Sequence, residues 1–253
     1  MTTFIIARPT SKAVITEAHF KERGLSAMAL PIVNISLNQH LSKNNNDADD
    51  TYNFDALIIT STYAVDWLVD CSGFNLINFD LIKHIVFVGE STASAFQRSW
   101  QKQFDSDKAL QANLTIASPS NSEGVLSNEC FVFCDQLNVG LLKGKGGRNL
   151  IENVLAQKGA SITVLDVYER IVDTQLLETL NLTINDTHCM VATSVEIVDA
   201  LFSYYDKQSL KTIKWIVPSI RIKDYANSLG VNQVFLSKSA NAHDLVTKSI
   251  ELA

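Results

Sequence analysis

The sequence predicts an α/β fold in which parallel sheets lie between layers of helices, divided over two domains. Short apolar runs carry the first part of that expectation: FIIA at 4–7, ALIIT at 56–60, IVFV at 85–88, LTIA at 114–117 and VGLLK at 139–143, then CMVAT, WIV and VFL, alternate with amphipathic stretches of helix length. Runs that are apolar at successive positions suit strands covered on both faces, as in parallel sheets. Length carries the second part, because 253 residues exceed the common size of one domain and call for two cores.

A faint internal duplication carries the third. LIITSTYAVDWL from Leu57 agrees with MVATSVEIVDAL from Met190 at Thr60 and Thr193, Ser61 and Ser194, and Asp66 and Asp199, while IKHIV from Ile82 agrees with IKWIV from Ile213. Ser118, Ser120 and Leu126 relate to Ser237, Ser239 and Leu245, and Arg8, Gly24, Ser26 and Leu30 to Lys143, Gly159, Ser161 and Leu165. The partner of the first unit thus closes the middle region, so the chain starts one domain, builds the other whole, and returns. The expected domains are 1–30 with 172–253, and 37–162. The segments 31–36 and 163–171 are expected to cross between them as a two-stranded ladder, a hinge over a cleft. Residues 37–53, polar and rich in Asn and Asp, read as a loop with no core to contribute.

Composition narrows the function. Hydrophobic residues at 46% and charged residues at 19% are ordinary globular usage, and a net charge of -6 argues against nucleic acid, whose phosphates need a surplus of Lys and Arg on one face. No apolar run approaches the ~20 residues that span a bilayer, and MTTFIIARPTSK has too short an apolar core for a secretory signal, so a cytoplasmic protein without membrane contact is expected. The four cysteines lack paired CxxC spacing and the five histidines lack HExxH spacing, so no metal is expected. Neither a Walker loop nor GxGxxG occurs, which counts against nucleotides, and the nucleophile elbow GxSxG is missing too.

In open parallel sheets ligands sit beyond the carboxyl ends of strands, where helix N-termini offer free N–H groups. The loops expected there are rich in hydroxyls: TST at 60–62 (Thr60, Ser61, Thr62), GEST at 89–92 (Gly89, Thr92), SPSNSEG at 118–124 (Ser120), TS at 193–194 (Thr193, Ser194), PS at 218–219 (Ser219) and SKSAN at 237–241 (Ser237). Helix capping explains each singly. Together, facing one cleft, they would supply many donors to carboxylates. Cations at strand ends are scarcer: Arg8 follows FIIA, and Lys143, Gly144 and Arg148 belong to KGKGGR at 143–148, whose glycines let backbone approach an anion. Tyr168 lies in a crossing strand beside Glu169 and Arg170. Packing is one role for it; donating a hydrogen bond or proton is the other, since a phenol keeps its proton at neutral pH.

The ordered set ARP at 7–9, FDALIITSTYAV at 54–65, VGEST at 88–92, SPSNSEGVL at 118–126, KGKGGRNLIENVLAQKGA at 143–160, VYER at 167–170, ATSVEIVDAL at 192–201, VPSIRIKDYANSLG at 217–230 and SKSANAHDLV at 237–246 resembles the uroporphyrinogen-III synthase family in order and spacing. The resemblance implies two flavodoxin-like three-layer domains joined by the two-stranded ladder. It further implies hydroxymethylbilane in the cleft, no cofactor, and carboxylates held by backbone and hydroxyl donors. The implied reaction is loss of the terminal hydroxyl as water to give an azafulvene, attack by ring D to form a spiro intermediate, fragmentation, and re-closure with ring D inverted. Carried over, Tyr168 assists hydroxyl departure, Thr92 and Ser219 are the hydroxyls of two inner loops, Arg8 is the cation after the first strand, and Lys143 and Arg148 fall on the glycine-rich loop. The sequence departs from the family at Tyr63, where TSxNAV has Asn, at Lys143, where Arg is common, and in the loop 37–53. A monomer is expected, touching the preceding pathway enzyme at most transiently. The competing reading is a non-catalytic two-domain protein that closes over an anionic small molecule.

Overall fold

A computed structural model of the chain describes residues 2–41, 51–104, 110–179, 183–185 and 187–253. In chain order the elements are β1 (Thr3–Pro9), α1 (Thr10–Glu22), β2 (Ser26–Leu37), β3 (Ala56–Ile59), α2 (Thr62–Asp70), α3 (Gly73–Leu76), β4 (His84–Phe87), α4 (Glu90–Gln103), β5 (Asn113–Ile116), α5 (Ser122–Leu126), β6 (Asn138–Gly144), α6 (Leu150–Gln157), β7 (Ser161–Val172), α7 (Thr174–Thr179), β8 (His188–Ala192), α8 (Val195–Tyr204), α9 (Lys207–Thr212), β9 (Lys214–Val217), α10 (Ile220–Ser228), β10 (Gln233–Leu236) and α11 (Ala242–Ile250). They fall into two compact units, Met1–Ile35 with Ile171–Ala253, and Ser36–Arg170.

In the first unit the strands lie in the order β10-β9-β8-β1-β2, and every pairing is parallel. Apolar side chains leave this sheet on both sides, which is why its strands carry no polar alternation. Ile5, Met190 and Trp215 pack with Ile197 and Leu201 of α8 and Ile222 of α10, whereas Phe4, Ile6 and Val191 pack with Phe20 of α1 and Leu245 of α11.

The second unit repeats the plan as β7-β6-β3-β4-β5, again parallel throughout. One face joins Ile58, Val86 and Leu141 to Val125 of α5 and to Ile151 and Leu155 of α6. Beside Phe87, an aromatic cluster of Phe74, Phe79, Phe96, Trp100 and Phe104 ties α3 to α4. The run LTIA differs from the doubly covered strand expected of it. β5 is the edge of the order, and its end residues Asn113 and Ile116 are exposed.

The segments expected to cross, 31–36 and 163–171, lie in β2 and β7, which are neighbours in the sheet order. Asp173 N–H donates to Ile32 O at 2.9 Å, and Asn38 N–H donates to Val167 O at 2.9 Å. Between these bonds one strand advances by as many residues as the other retreats, which defines antiparallel neighbours. Of the loop expected at 37–53, residues 42–50 lie outside the described residues. Its far end is a correction to the expectation, since Tyr52 stacks on Phe54 with ring centres 5.8 Å apart and exchanges backbone hydrogen bonds with Leu76 and Asn78. An aromatic side chain and its backbone are built into the second unit where polarity alone suggested a loop.

Candidate active site

In the second unit β6 leads into α6 and β3 into α2. Helix α2 packs with α4, whereas α6 packs with α5. The chain therefore leaves adjacent strands toward opposite faces, which opens a crevice at their carboxyl ends where such sheets bind ligands. Across it, Thr60 Oγ1 donates to Leu142 O at 3.0 Å. Ser61 caps α2, accepting from Ala64 N–H at 3.3 Å.

Tyr168 is set against this crevice by β7. A shift of register between Lys143 and Gly144 brings Gly144 opposite Tyr168. The ring lies so close to Gly144 that a Cβ there would stand 2.6 Å from Cε2 and Cζ. The Tyr63 ring packs on it at 5.4 Å, and the Arg170 guanidinium lies 5.3 Å from its centre. Its hydroxyl oxygen accepts from Ser61 Oγ at 3.1 Å and from Arg170 Nη2 at 3.2 Å. Tyr168 is 3% exposed and lines a cavity of about 640 Å³ with Asn38, His40, Lys145, Asp166 and Glu169.

The remaining expected residues of this unit are placed nearby or held by partners. Thr62 opens α2; Gly89 is the N-cap of α4 and Thr92 is buried in its first turn. Gly89 and Ser120 are neighbours, since a Cβ on Gly89 would stand 3.9 Å from Ser120 Oγ. The cations of the glycine-rich loop each face an acid. Lys143 Nζ lies 2.6 Å from Glu152 Oε1, Lys145 Nζ 3.3 Å from Glu169 Oε1, and Arg148 Nη1 3.0 Å from Glu123 Oε1. Glu123 is held below the usual carboxylate range, first by its own backbone N–H and then by Arg148.

In the first unit, Thr193 and Ser194 follow β8, Ser219 follows β9 and Ser237 follows β10. Ser194 and Ser219 cap α8 and α10 through Ile197 N–H at 3.3 Å and Ile222 N–H at 3.4 Å. Ser237 Oγ donates to Ser239 O at 2.8 Å. Arg8 turns inward: it is 5% exposed and donates to Thr16 Oγ1 at 2.5 Å and Ala240 O at 2.6 Å. Sequence reasoning treats Arg170 only as a neighbour of Tyr168 and Tyr63 only as a departure. The two-residue period of a strand, which places 168 and 170 on one face, is a signal for the first. Among the described residues no group of three His, Cys, Asp or Glu is arranged to hold a metal ion, and no helix is long and apolar enough to cross a membrane.

Fold and site define a parallel α/β protein with a phenol presented at a strand-end crevice among hydroxyl-bearing loops. The family model described as Uroporphyrinogen-III synthase HemD matches residues 15–247. The chain belongs to the uroporphyrinogen-III synthase family. Among solved structures, a uroporphyrinogen-III synthetase from Helicobacter pylori 26695 superposes with a TM-score of 0.65 at 14% identity, covering 100% of both chains. A mutant uroporphyrinogen III synthase from the extremely thermophilic bacterium Thermus thermophilus superposes with a TM-score of 0.62 at 13% identity, covering 99% of this chain and 98% of that one. These likenesses show the mixed α/β fold. No curated protein sequence matches the chain significantly. The chain is an enzyme of porphyrin and haem biosynthesis, a lyase that cyclises hydroxymethylbilane to uroporphyrinogen III with inversion of ring D and loss of water.

Proposed function

We propose that Tyr168 is the catalytic residue of this cyclisation and that the strand-end loops around it hold the substrate. The phenol gives its proton to the terminal hydroxyl of hydroxymethylbilane, which leaves as water, and the N-protonated azafulvene cation remains beside the phenolate. Ring closure through the spiro intermediate releases a proton from pyrrole carbon, and the phenolate recovers it, so the cycle balances without an external acid. Supporting this is the position of the Tyr168 oxygen, at the carboxyl ends of β3 and β6 with Ser61 and Arg170 as hydrogen-bond donors to it. Thr60, Thr62, Gly89, Thr92 and Ser120, with the corresponding Thr193, Ser194, Ser219 and Ser237, meet substrate carboxylates through hydroxyls and helix-start N–H groups. Gly144, Lys143 and Arg148 border the same crevice, the cations through heads already shared with Glu152 and Glu123.

The main task of the site is shape, because the substrate closes head to tail unaided and the enzyme must favour the spiro path. Both units read as flavodoxin-like domains, counted from β1 in one and from β6 in the other, and β2 with β7 serves as the hinge between them. The protein works in the cytoplasm as a monomer and meets the preceding pathway enzyme only in passing.

Replacing Tyr168 with Phe tests the assignment. It lowers kcat by about tenfold to a hundredfold with KM nearly kept, as loss of a proton donor does. An unchanged kcat removes Tyr168 from the chemistry.

A further inference from the structure

The surroundings of the Tyr168 oxygen fix which way its proton points. Residues 168 and 170 share a face of β7, so the Arg170 side chain folds back over the phenol, with the guanidinium carbon 5.3 Å from the ring centre and Nη2 3.2 Å from the hydroxyl oxygen. A guanidinium has donors only and cannot take the phenol proton. Ser61 stands on the other side. Its oxygen already accepts from Ala64 N–H at the start of α2, and its own proton goes to the Tyr168 oxygen at 3.1 Å. Two donors therefore occupy the acceptor side of one phenol oxygen.

We propose that Arg170 is a positioning residue that, with Ser61, fills the acceptor side of the Tyr168 oxygen and turns its O–H outward as a committed donor. This rests on the reading of Tyr168 as the group that protonates the departing hydroxyl, and it adds what makes the phenol fit for that task. In water a phenol donates and accepts in turn. Here the accepting role is taken by fixed partners, so the proton is aligned before substrate arrives. When that proton leaves, the oxygen carries negative charge between a guanidinium and a hydroxyl that already point at it, and no reorganisation is needed. Gly144 makes the arrangement possible by leaving the ring room to lie against β6.

Steady-state formation of uroporphyrinogen III by Arg170→Met, Tyr168→Phe and the double variant tests this. Arg170 is itself exposed although it shares a face with the buried Tyr168, so its replacement leaves the fold intact. Arg170→Met is expected to lower kcat by about tenfold with KM within about twofold, and to cost nothing further in the Tyr168→Phe background. Ser61→Ala follows the same rule, losing kcat alone but not on top of Tyr168→Phe. A purely structural Arg170 gives losses that multiply in the double variant, and that result overturns the proposal. So does an Arg170→Met enzyme with unaltered kcat when Tyr168→Phe is impaired. Should Tyr168→Phe itself be fully active, the reading of Tyr168 fails, and the single variant identifies that failure separately.

Discussion

Arg8 and Lys143 stand at equivalent places, each at the end of the strand from which its unit's order is counted, and each is used in the same way. Arg8 reaches Thr16 on α1, the helix that follows its strand, and Lys143 reaches Glu152 on α6, the helix that follows its own. Both cations thus tie a strand end to its next helix, whatever else they do when ligand is present. Replacing Arg8 with Met should cost about 2 kcal/mol in urea unfolding, because the buried Thr16 hydroxyl and the Ala240 carbonyl lose a charged donor. An unaltered midpoint would mean that solvent substitutes for the guanidinium. The thiols behave in the opposite sense. Burial pushes Cys189 up to about 12 and Cys130 up to about 11, so both stay protonated near pH 8 and should react with iodoacetamide only after unfolding. Tyr168 is legible in the sequence as a polar ring in a strand expected to cross between cores. Its partner Arg170 is legible too, by the two-residue period of a strand, whereas Ser61 and Gly144 are not, because Ser61 is remote in sequence and the register shift at Lys143 and Gly144 leaves no local pattern.

Strand by strand, the apolar runs at 4–7, 56–60, 85–88 and 139–143 coincide with β1, β3, β4 and β6, because a segment covered on both faces has no polar position to obscure it. Hydroxyl-rich loops are legible for a related reason: Ser61, Ser194 and Ser219 each cap the helix that follows, a local requirement written into local sequence. Tyr52 escapes a reading by polarity since its value lies in a stack on Phe54 and a bridge to Ile77, which polarity counts do not register. Gly144 is where an element and the site meet. Its Cβ position is filled by the Tyr168 ring, so Gly144→Ala should displace the phenol, lowering kcat by about tenfold and stability by about 2 kcal/mol. Full activity of that variant, measured beside its thermal midpoint, would show that the ring need not lie where β6 puts it.

For the whole molecule, charge sets the pH window of stability. Asp55 is held low first by the backbone N–H of Asn138 and then by Lys83, Asp244 first by Ser239, and Asp206 first by the backbone of Ser209. Each folded value lies below its unfolded one, so the unfolded chain takes up more protons in acid. Their contribution is complete above about pH 4 and drains away as pH falls through the folded values. Cys130 and Cys189 are shifted upward, so their contribution is complete below about pH 8 and is lost in alkali as the unfolded thiols ionise. Thermal midpoints across pH should therefore trace a plateau that falls on both sides; a midpoint that climbs below about pH 4 would contradict these assignments. At this scale the duplication gives the repeated strand order away in part, since matched segments such as IKHIV and IKWIV form β4 and β9, each third in from the start of its count. The pairing of β2 with β7 is legible in the order of the duplicated segments; what the sequence withholds is its register, because strand neighbours far apart in the chain share no local signal. The most direct test of the whole account is to give hydroxymethylbilane to the purified protein without added cofactor and to separate the uroporphyrinogen isomers after oxidation. The account predicts predominantly type III, formed faster than the unaided reaction; type I alone, at the spontaneous rate, would contradict it.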